Sequence, residues 1–271
     1  IKVFYNGEEV GYYIMDIVVE NIVGVEIKAC EALCVEHTYQ LINYLKASQI
    51  EIGLLGDVKG KKILHLQCHF GQDTISLSRM GATVTGIDLS DRAIDTAKKL
   101  AKNLNTDTQF ICCDIFDLPN HLEEKFDIVF TSYGTIGWLP DMNKWANIVS
   151  HFKKPDGKFI FVEFHPSVWM YDDDFKGINY NYFNSGPIVE VESGTYADKT
   201  AEITQKYIMW NHSMSEVVNS LIASGLKIER LDEFNYSPYP CFKHTVKVDK
   251  DKYYIEAFGD KFPMVYAIVA S

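Results

Sequence analysis

From Lys61 onward, strand-like apolar runs alternate with amphipathic stretches of helical period, and no other feature limits the fold so tightly. Lys62 to Cys68 is strand-like, and Gly71 to Met80 reads as a helix stopped by Gly81. Ala82 to Asp88 is the next strand. Ser90 then caps a helix that carries Ala93, Ile94, Ala97, Leu100 and Ala101 on one face. Thr108 to Cys113, Phe126 to Thr131 and Lys158 to Phe164 continue the strands, with a helix over Met142 to Phe152. A helix at Met214 to Ala223 and strands at Lys227 to Phe234 and Met264 to Ala270 complete the series. This order predicts an α/β fold with a doubly wound, mostly parallel, seven-stranded sheet.

Two segments break the alternation. Between His165 and Gln205 the chain is rich in Tyr, Phe, Asp, Asn and Gly, and reads as an insertion of short strands and loops. Such an insertion serves either as one wall of a substrate pocket or as a lid that only shields core. Residues 1–56 read as a small β-rich α+β segment. Strands are expected at Lys2 to Tyr5, Gly11 to Glu20 and Val23 to Lys28, with Asn6-Gly7 as a turn. A helix over Glu31 to Ala47 and a strand at Ile50 to Leu55 follow. The expected division is therefore residues 1–56 and 57–271.

Composition limits the partners. The net charge is -11, and residues 1–57 contribute three lysines against nine acids. No Lys/Arg stripe offsets this, and an acidic surface repels phosphate, so a long nucleic acid is not expected as a partner. Apolar stretches such as Phe159 to Val162 are too short to cross a bilayer, and no basic region precedes an apolar run as in a secretory signal. Six cysteines at irregular spacing fit reduced thiols in a cytoplasmic protein better than a disulfide framework. Cys30, Cys34 and His37 lack a second pair at zinc-site spacing, so no metal is expected.

The central feature is Ile63-Leu64-His65-Leu66-Gln67-Cys68-His69-Phe70-Gly71-Gln72-Asp73, a buried strand whose tight turn opens a helix. Gly71 lets the backbone approach a ligand, and the helix N-terminus favours negative charge. A doubly wound fold binds an adenosine-containing cofactor at this place. The loop has one glycine where a dinucleotide fingerprint has three, which disfavours a nicotinamide oxidoreductase. Asp88 ends the second strand ahead of Leu89 and Ser90, suited to accept from two ribose hydroxyls. Asp114 ends the third ahead of Ile115, suited to accept from an adenine amino group. Phe126 to Gly134 supplies a fourth strand and a loop over the site.

On these residues, and on Lys154-Pro155-Asp156-Gly157-Lys158-Phe159 as the turn before the fifth strand, residues 57–271 resemble the class I methyltransferase family. The resemblance implies a Rossmann-like fold, S-adenosylmethionine as cofactor, and a lining of Gln67, Cys68, His69, Gly71, Asp73, Asp88, Leu89, Ser90, Asp114, Ile115, Ser132 and Tyr133. The first motif departs from the family, with Cys68-His69-Phe70-Gly71 in place of a glycine-rich loop. An already activated methyl group needs mainly an aligned acceptor, and a base only where the acceptor must lose a proton. His165 is the candidate base, against a plain structural hydrogen bond ahead of Pro166. Tyr133 is a candidate pocket wall, against simple packing. Methylases of DNA base amino groups carry Asn/Asp-Pro-Pro-Tyr/Phe after the fourth strand, where this chain reads Thr131-Ser132-Tyr133-Gly134. A small-molecule acceptor is expected, with no nucleic-acid or membrane partner.

Residues 1–55 resemble a different family, the GxxExxY-type PD-(D/E)xK nucleases. Asp16, Glu26-Ile27-Lys28 and Gln40-Leu41-Ile42-Asn43-Tyr44-Leu45 carry the likeness. Two carboxylates that hold Mg²⁺ beside a lysine form a workable nuclease centre. The family's upstream half is absent, so shared ancestry through a gene fusion is expected rather than nuclease activity. Two alternatives to a methyltransferase remain: a protein that binds the cofactor without turnover, and a metal-dependent nuclease.

Overall fold

The structure, a computed structural model, describes residues 2–5, 8–12, 49–193 and 204–271. The chain divides into two compact units, residues 1–38 and 39–271. In the first, β1 (Lys2–Tyr5) and β2 (Glu8–Tyr12) pair antiparallel, with a register shift between Val3 and Phe4. The Asn6-Gly7 turn, Asp16, Glu26, Lys28 and Gln40 to Leu45 lie outside the described residues.

The second unit opens on α1 (Gln49–Leu55), where the sequence predicts a strand. Ile50, Ile52 and Leu54 alternate with Glu51 and Gly53, which mimics a strand period over so short a stretch. Helical spacing prevails because Ile50 and Leu55 are buried in two different apolar clusters, with Leu54 packed against both.

The strands and helices that follow are β3 (Lys62–His65), α2 (Gln72–Arg79), β4 (Thr83–Asp88), α3 (Asp91–Asn103), β5 (Gln109–Cys112) and β6 (Phe126–Ser132). Then come α4 (Met142–Phe152), β7 (Lys153–Phe164), β8 (Ile188–Ser193), β9 (Thr204–Met209), α5 (Met214–Ala223) and β10 (Ile228–Phe234). A hairpin of β11 (Thr245–Asp249) and β12 (Lys252–Ile255) precedes β13 (Val265–Ala270). The main sheet has seven strands in the order β5-β4-β3-β6-β7-β13-β10. Its first five are parallel, while β13 runs antiparallel to both β7 and β10. The expected seven-stranded doubly wound sheet is thus present.

Alternation along β7 sends residues to opposite layers. Phe159 and Phe161 join Trp145 and Phe152 of α4, Leu221 of α5 and Tyr266 of β13 on one face. Val162 and Phe164 join Val265, Ala267 and the loop residues Val168 and Phe175 on the other. β7 is longer than expected, since it starts at Lys153 and bulges before Lys158. A Cβ at Gly157 in that bulge would stand 2.9 Å from the Phe126 carbonyl oxygen.

His65, at the end of β3, is buried and its Nδ1 lies 2.8 Å from the Thr74 hydroxyl. Burial pushes its imidazole from 6.5 down to about 3. The unfolded chain therefore binds a proton between those values that the folded chain refuses. Stability is full above about pH 6.5 and falls below it, by about 1.4 kcal/mol per pH unit from this group. Urea melts at pH 7, 6 and 5 should show a smaller acid loss for His65→Gln than for the parent. Equal losses would mean that other groups set the acid limit.

Candidate active site at the strand ends

Three strand ends meet at the C-terminal edge of the parallel sheet. Past β3 the chain is knitted to both neighbours: the Leu66 amide donates to the Phe130 carbonyl, and the Cys68 amide to the Ile87 carbonyl. Gln67, His69 and Gly71 all have positive φ, at 53°, 50° and 69°. For the two non-glycine residues that conformation costs about 1–2 kcal/mol each. Asp88 offsets part of this. Its Oδ2 accepts from the His69 amide at 2.8 Å, and its Oδ1 from the Ser90 amide at 2.9 Å. One carboxylate thereby ties the turn after β3 to the turn after β4.

Packing alone requires a glycine at position 71. A Cβ there would lie 2.5 Å from the Phe110 ring and 2.9 Å from the Ala97 Cβ. Gly86 of β4 is boxed in the same way, by Cys68 Sγ, Phe110 and Thr74 at 2.9–3.0 Å.

The turn after β6 is held by a residue that the sequence reading did not single out. Tyr133 and Gly134 have positive φ, at 33° and 70°, and this curls successive amides towards one point. Glu163 of β7 fills that point. One of its oxygens accepts from the Gly134 amide and, at 2.7 Å, from the Phe164 amide. The other accepts from the Thr135 amide at 2.8 Å, the Thr135 hydroxyl at 3.1 Å and the Ile136 amide at 3.3 Å. Burial pushes the Glu163 carboxyl up while the four amides pull it down, and the balance lies above the usual range. The available signal was an acid inside the apolar run Phe159 to Phe164. Gln67 closes the ring of contacts, since its Nε2 donates to the Thr135 carbonyl at 2.9 Å.

The remaining expected residues fall as follows. Leu89 is 71% exposed beside Asp88, an apolar side chain with nothing packed over most of it. Ser90 caps α3 by accepting from the Ala93 amide. Asp114 caps a 3₁₀ turn, its Oδ1 accepting from the Phe116 amide at 2.8 Å. Ile115 and Ser132 are buried, and Asp73 sits in the first turn of α2, where a negative charge is favoured. The Cys68 side chain is buried in the apolar cluster with Ile75, Ile94 and Phe110, and burial pushes its thiol well up. The Tyr133 ring packs against Phe164 and Tyr239, with centroids 5.3 and 5.8 Å away.

His165 is committed elsewhere. Its Nδ1 meets the Ser167 hydroxyl at 2.6 Å and accepts from the Ser167 amide, while Nε2 faces Glu233 at 2.9 Å. Both ring nitrogens thus have partners within hydrogen-bond distance. Among the described residues no group of three or more His, Cys, Asp or Glu could hold a metal ion. No described helix is long and apolar enough to cross a membrane.

Comparison with known proteins agrees with this fold. A family model described as a methyltransferase domain matches residues 57–254, and one for the PD-(D/E)XK nuclease superfamily matches residues 1–62. A ubiquinone biosynthesis O-methyltransferase of Coxiella burnetii is 28% identical over 198 residues, which cover 73% of this chain and 76% of the relative. An uncharacterized methyltransferase of Synechocystis is 33% identical over 126 residues, covering 45% of this chain and 57% of the relative. The chain spans 50% of the length of a second Coxiella burnetii ubiquinone biosynthesis O-methyltransferase and 43% of that of Alkalilimnicola ehrlichii. Among solved structures, an S-adenosylmethionine-dependent methyltransferase of Clostridium acetobutylicum superposes with a TM-score of 0.56 at 17% identity, over 86% of this chain and 91% of the other. One from Listeria monocytogenes gives 0.55 at 20% identity, over 80% and 93%.

Removing the Glu163 carboxylate would leave buried donors without acceptors. Glu163→Ala should cost about 3 kcal/mol, a fall in Tm of roughly 6–12 °C for a unit of this size. A fall under about 2 °C in a thermal melt would show that other contacts hold the turn.

Proposed function

The chain belongs to the methyltransferase-domain family and depends on S-adenosylmethionine, and from that premise we propose that it methylates a small-molecule acceptor in the crevice between the ends of β3, β4 and β6. The single observation that carries the assignment of the crevice is the carboxylate of Asp88, which ties two of the three strand ends together and still keeps a lone pair on each oxygen. Those lone pairs accept from the two ribose hydroxyls. Asp114 spends Oδ1 on its own turn and offers Oδ2 to the adenine amino group. The exposed Leu89 side chain supplies an apolar platform for the base. Gln67 Oε1 is buried with no partner among the described residues, and it accepts from the cofactor's amino end. His69, Gly71, Asp73, Ser90, Ile115, Ser132 and Tyr133 complete the lining through backbone and side chain, and Cys68 through backbone alone.

S-adenosylmethionine supplies a methyl on a sulfonium: the S–CH₃ bond breaks as the acceptor's lone pair bonds to carbon, leaving S-adenosylhomocysteine. The chain's own task is alignment and exclusion of water. With both His165 nitrogens engaged, a proton lost by the acceptor passes to solvent rather than to that ring. A small acceptor is supported by the net charge of -11, which repels polyanions. The catalytic unit is residues 57–271, and the segment at 165–205 forms one wall of the acceptor pocket through Trp169. Residues 1–56 take no part in the transfer.

Calorimetric titration with S-adenosylhomocysteine tests this reading. The parent should bind at micromolar Kd, and Asp88→Ala should weaken binding at least tenfold, about 1.4 kcal/mol. A folded parent that does not bind would sink the proposal.

A further inference from the structure

β10 is an edge strand of the main sheet, and among the described residues only β13 pairs with it. The hydrogen bonds of the sheet fix which of its backbone groups are left over. The His165 amide donates to the Met264 carbonyl, so Met264 is turned towards the end of β7. Alternation then turns Val265, Ala267 and Val269 of β13 to their β10 partners Phe234, Asp232 and Arg230. Leu231 and Glu233 therefore direct N–H and C=O away from the sheet, with no backbone partner among the described residues. Such an edge is a template for another strand.

Its side chains restrict what that strand can be. Leu231 stands opposite Ile268, on the face that α5 covers, and is 44% exposed. Ile222 of α5, which packs beside β10, is 54% exposed. On the other face Arg230 Nε lies 2.5 Å from Asp232 Oδ2, a contact that spends only part of the guanidinium's donors. Charges on an edge keep off strands that do not match them. This order of charges matches itself. A two-fold axis normal to the sheet sets residues of one face opposite one another, so it passes through a single residue of an antiparallel pair. An axis at Arg230 or at Asp232 would bring like charges together. An axis at Leu231 sets Arg230 opposite the partner's Asp232 on both sides, and the outward amide and carbonyl of Leu231 opposite those of the partner's Leu231. Glu229, which this register sets towards the partner's Glu233, lies in the bulge of β10 and is held by Lys158 at 3.2 Å.

We infer that β10 is a self-association edge: a second copy of this chain adds its own β10 antiparallel across a two-fold axis at Leu231, joining two seven-stranded sheets into one. Leu231 and Ile222 supply the apolar contact on one face, and two Arg230–Asp232 pairs supply the polar contact on the other. β10 and β7 are both antiparallel to β13, so β10 runs in the direction of the parallel strands. The axis reverses that direction in the partner, and the two crevices open at opposite ends of the joined strands. No residue of the crevice takes part, so the inference stands apart from the methyltransferase reading.

Sedimentation velocity of the whole chain tests it, with the parent, Arg230→Asp and Asp232→Arg each run from about 1 to 100 μM. The parent should sediment as a dimer at the upper end. Either variant alone sets like charges across the axis and should dimerise about tenfold more weakly, or not at all. An equimolar mixture of the two variants should regain the dimer, because the acids of one then face the bases of the other. The pair within each chain stays broken in that mixture, so recovery reports only the contact between chains. Leu231→Lys, which places a charge on the axis itself, should abolish the dimer even if the other variants fold poorly. A parent that stays monomeric, a dimer indifferent to these substitutions, or folded variants whose mixture does not recover would each overturn the inference.

Discussion

Five donors converge on the carboxylate of Glu163: the amides of Gly134, Thr135, Ile136 and Phe164, and the Thr135 hydroxyl. A charge buried without such partners costs several kcal/mol, so this cluster stands or falls together. Its effect is conformational. Tyr133 adopts a positive φ that a bulky residue rarely takes, and the converging amides make that curl worthwhile. The turn that results carries Ile136 and Gly137 into the wall of a small cavity that Glu163 and Tyr266 also line.

Asp88 does the same for the other two strand ends. It joins the amide of His69, in the turn after β3, to that of Ser90, in the turn after β4. Gln67 then bridges from the first turn to Thr135 in the third. Two carboxylates and one amide side chain therefore set the spacing of three turns that approach one another only because a parallel sheet brings its strand ends to one edge. Glycine serves this arrangement by letting layers close up: without a Cβ, Gly71 and Gly86 admit the Phe110 ring between β4, α2 and α3.

Strand and helix positions were legible because parallel strands buried on both faces read as continuous apolar runs, and amphipathic helices mark the gaps between them. The strand-end acids Asp88 and Asp114 were legible because their place follows from the order of elements. What escaped depends on contacts distant in sequence. Glu163 looked like one more strand residue until β6 and β7 paired and set it under the Gly134 turn. A structural hydrogen bond was one expectation for His165, but its partner Glu233 could not be named because it comes from β10, two strands away in the sheet. Tyr266 was one apolar-run residue until β13 laid it opposite Glu163. The β11–β12 hairpin went unread, and α1 was taken for a strand because seven residues are too few for period alone to decide.

The central claim is that the turns after β3, β4 and β6 form a single ligand-responsive unit. Amide hydrogen exchange of the whole chain, with and without S-adenosylhomocysteine, tests it most directly. The account predicts that added ligand slows exchange together at residues 67–71, 88–90 and 133–136, with little change along β10 to β12. Protection confined to one turn, or appearing only outside the three, would contradict it.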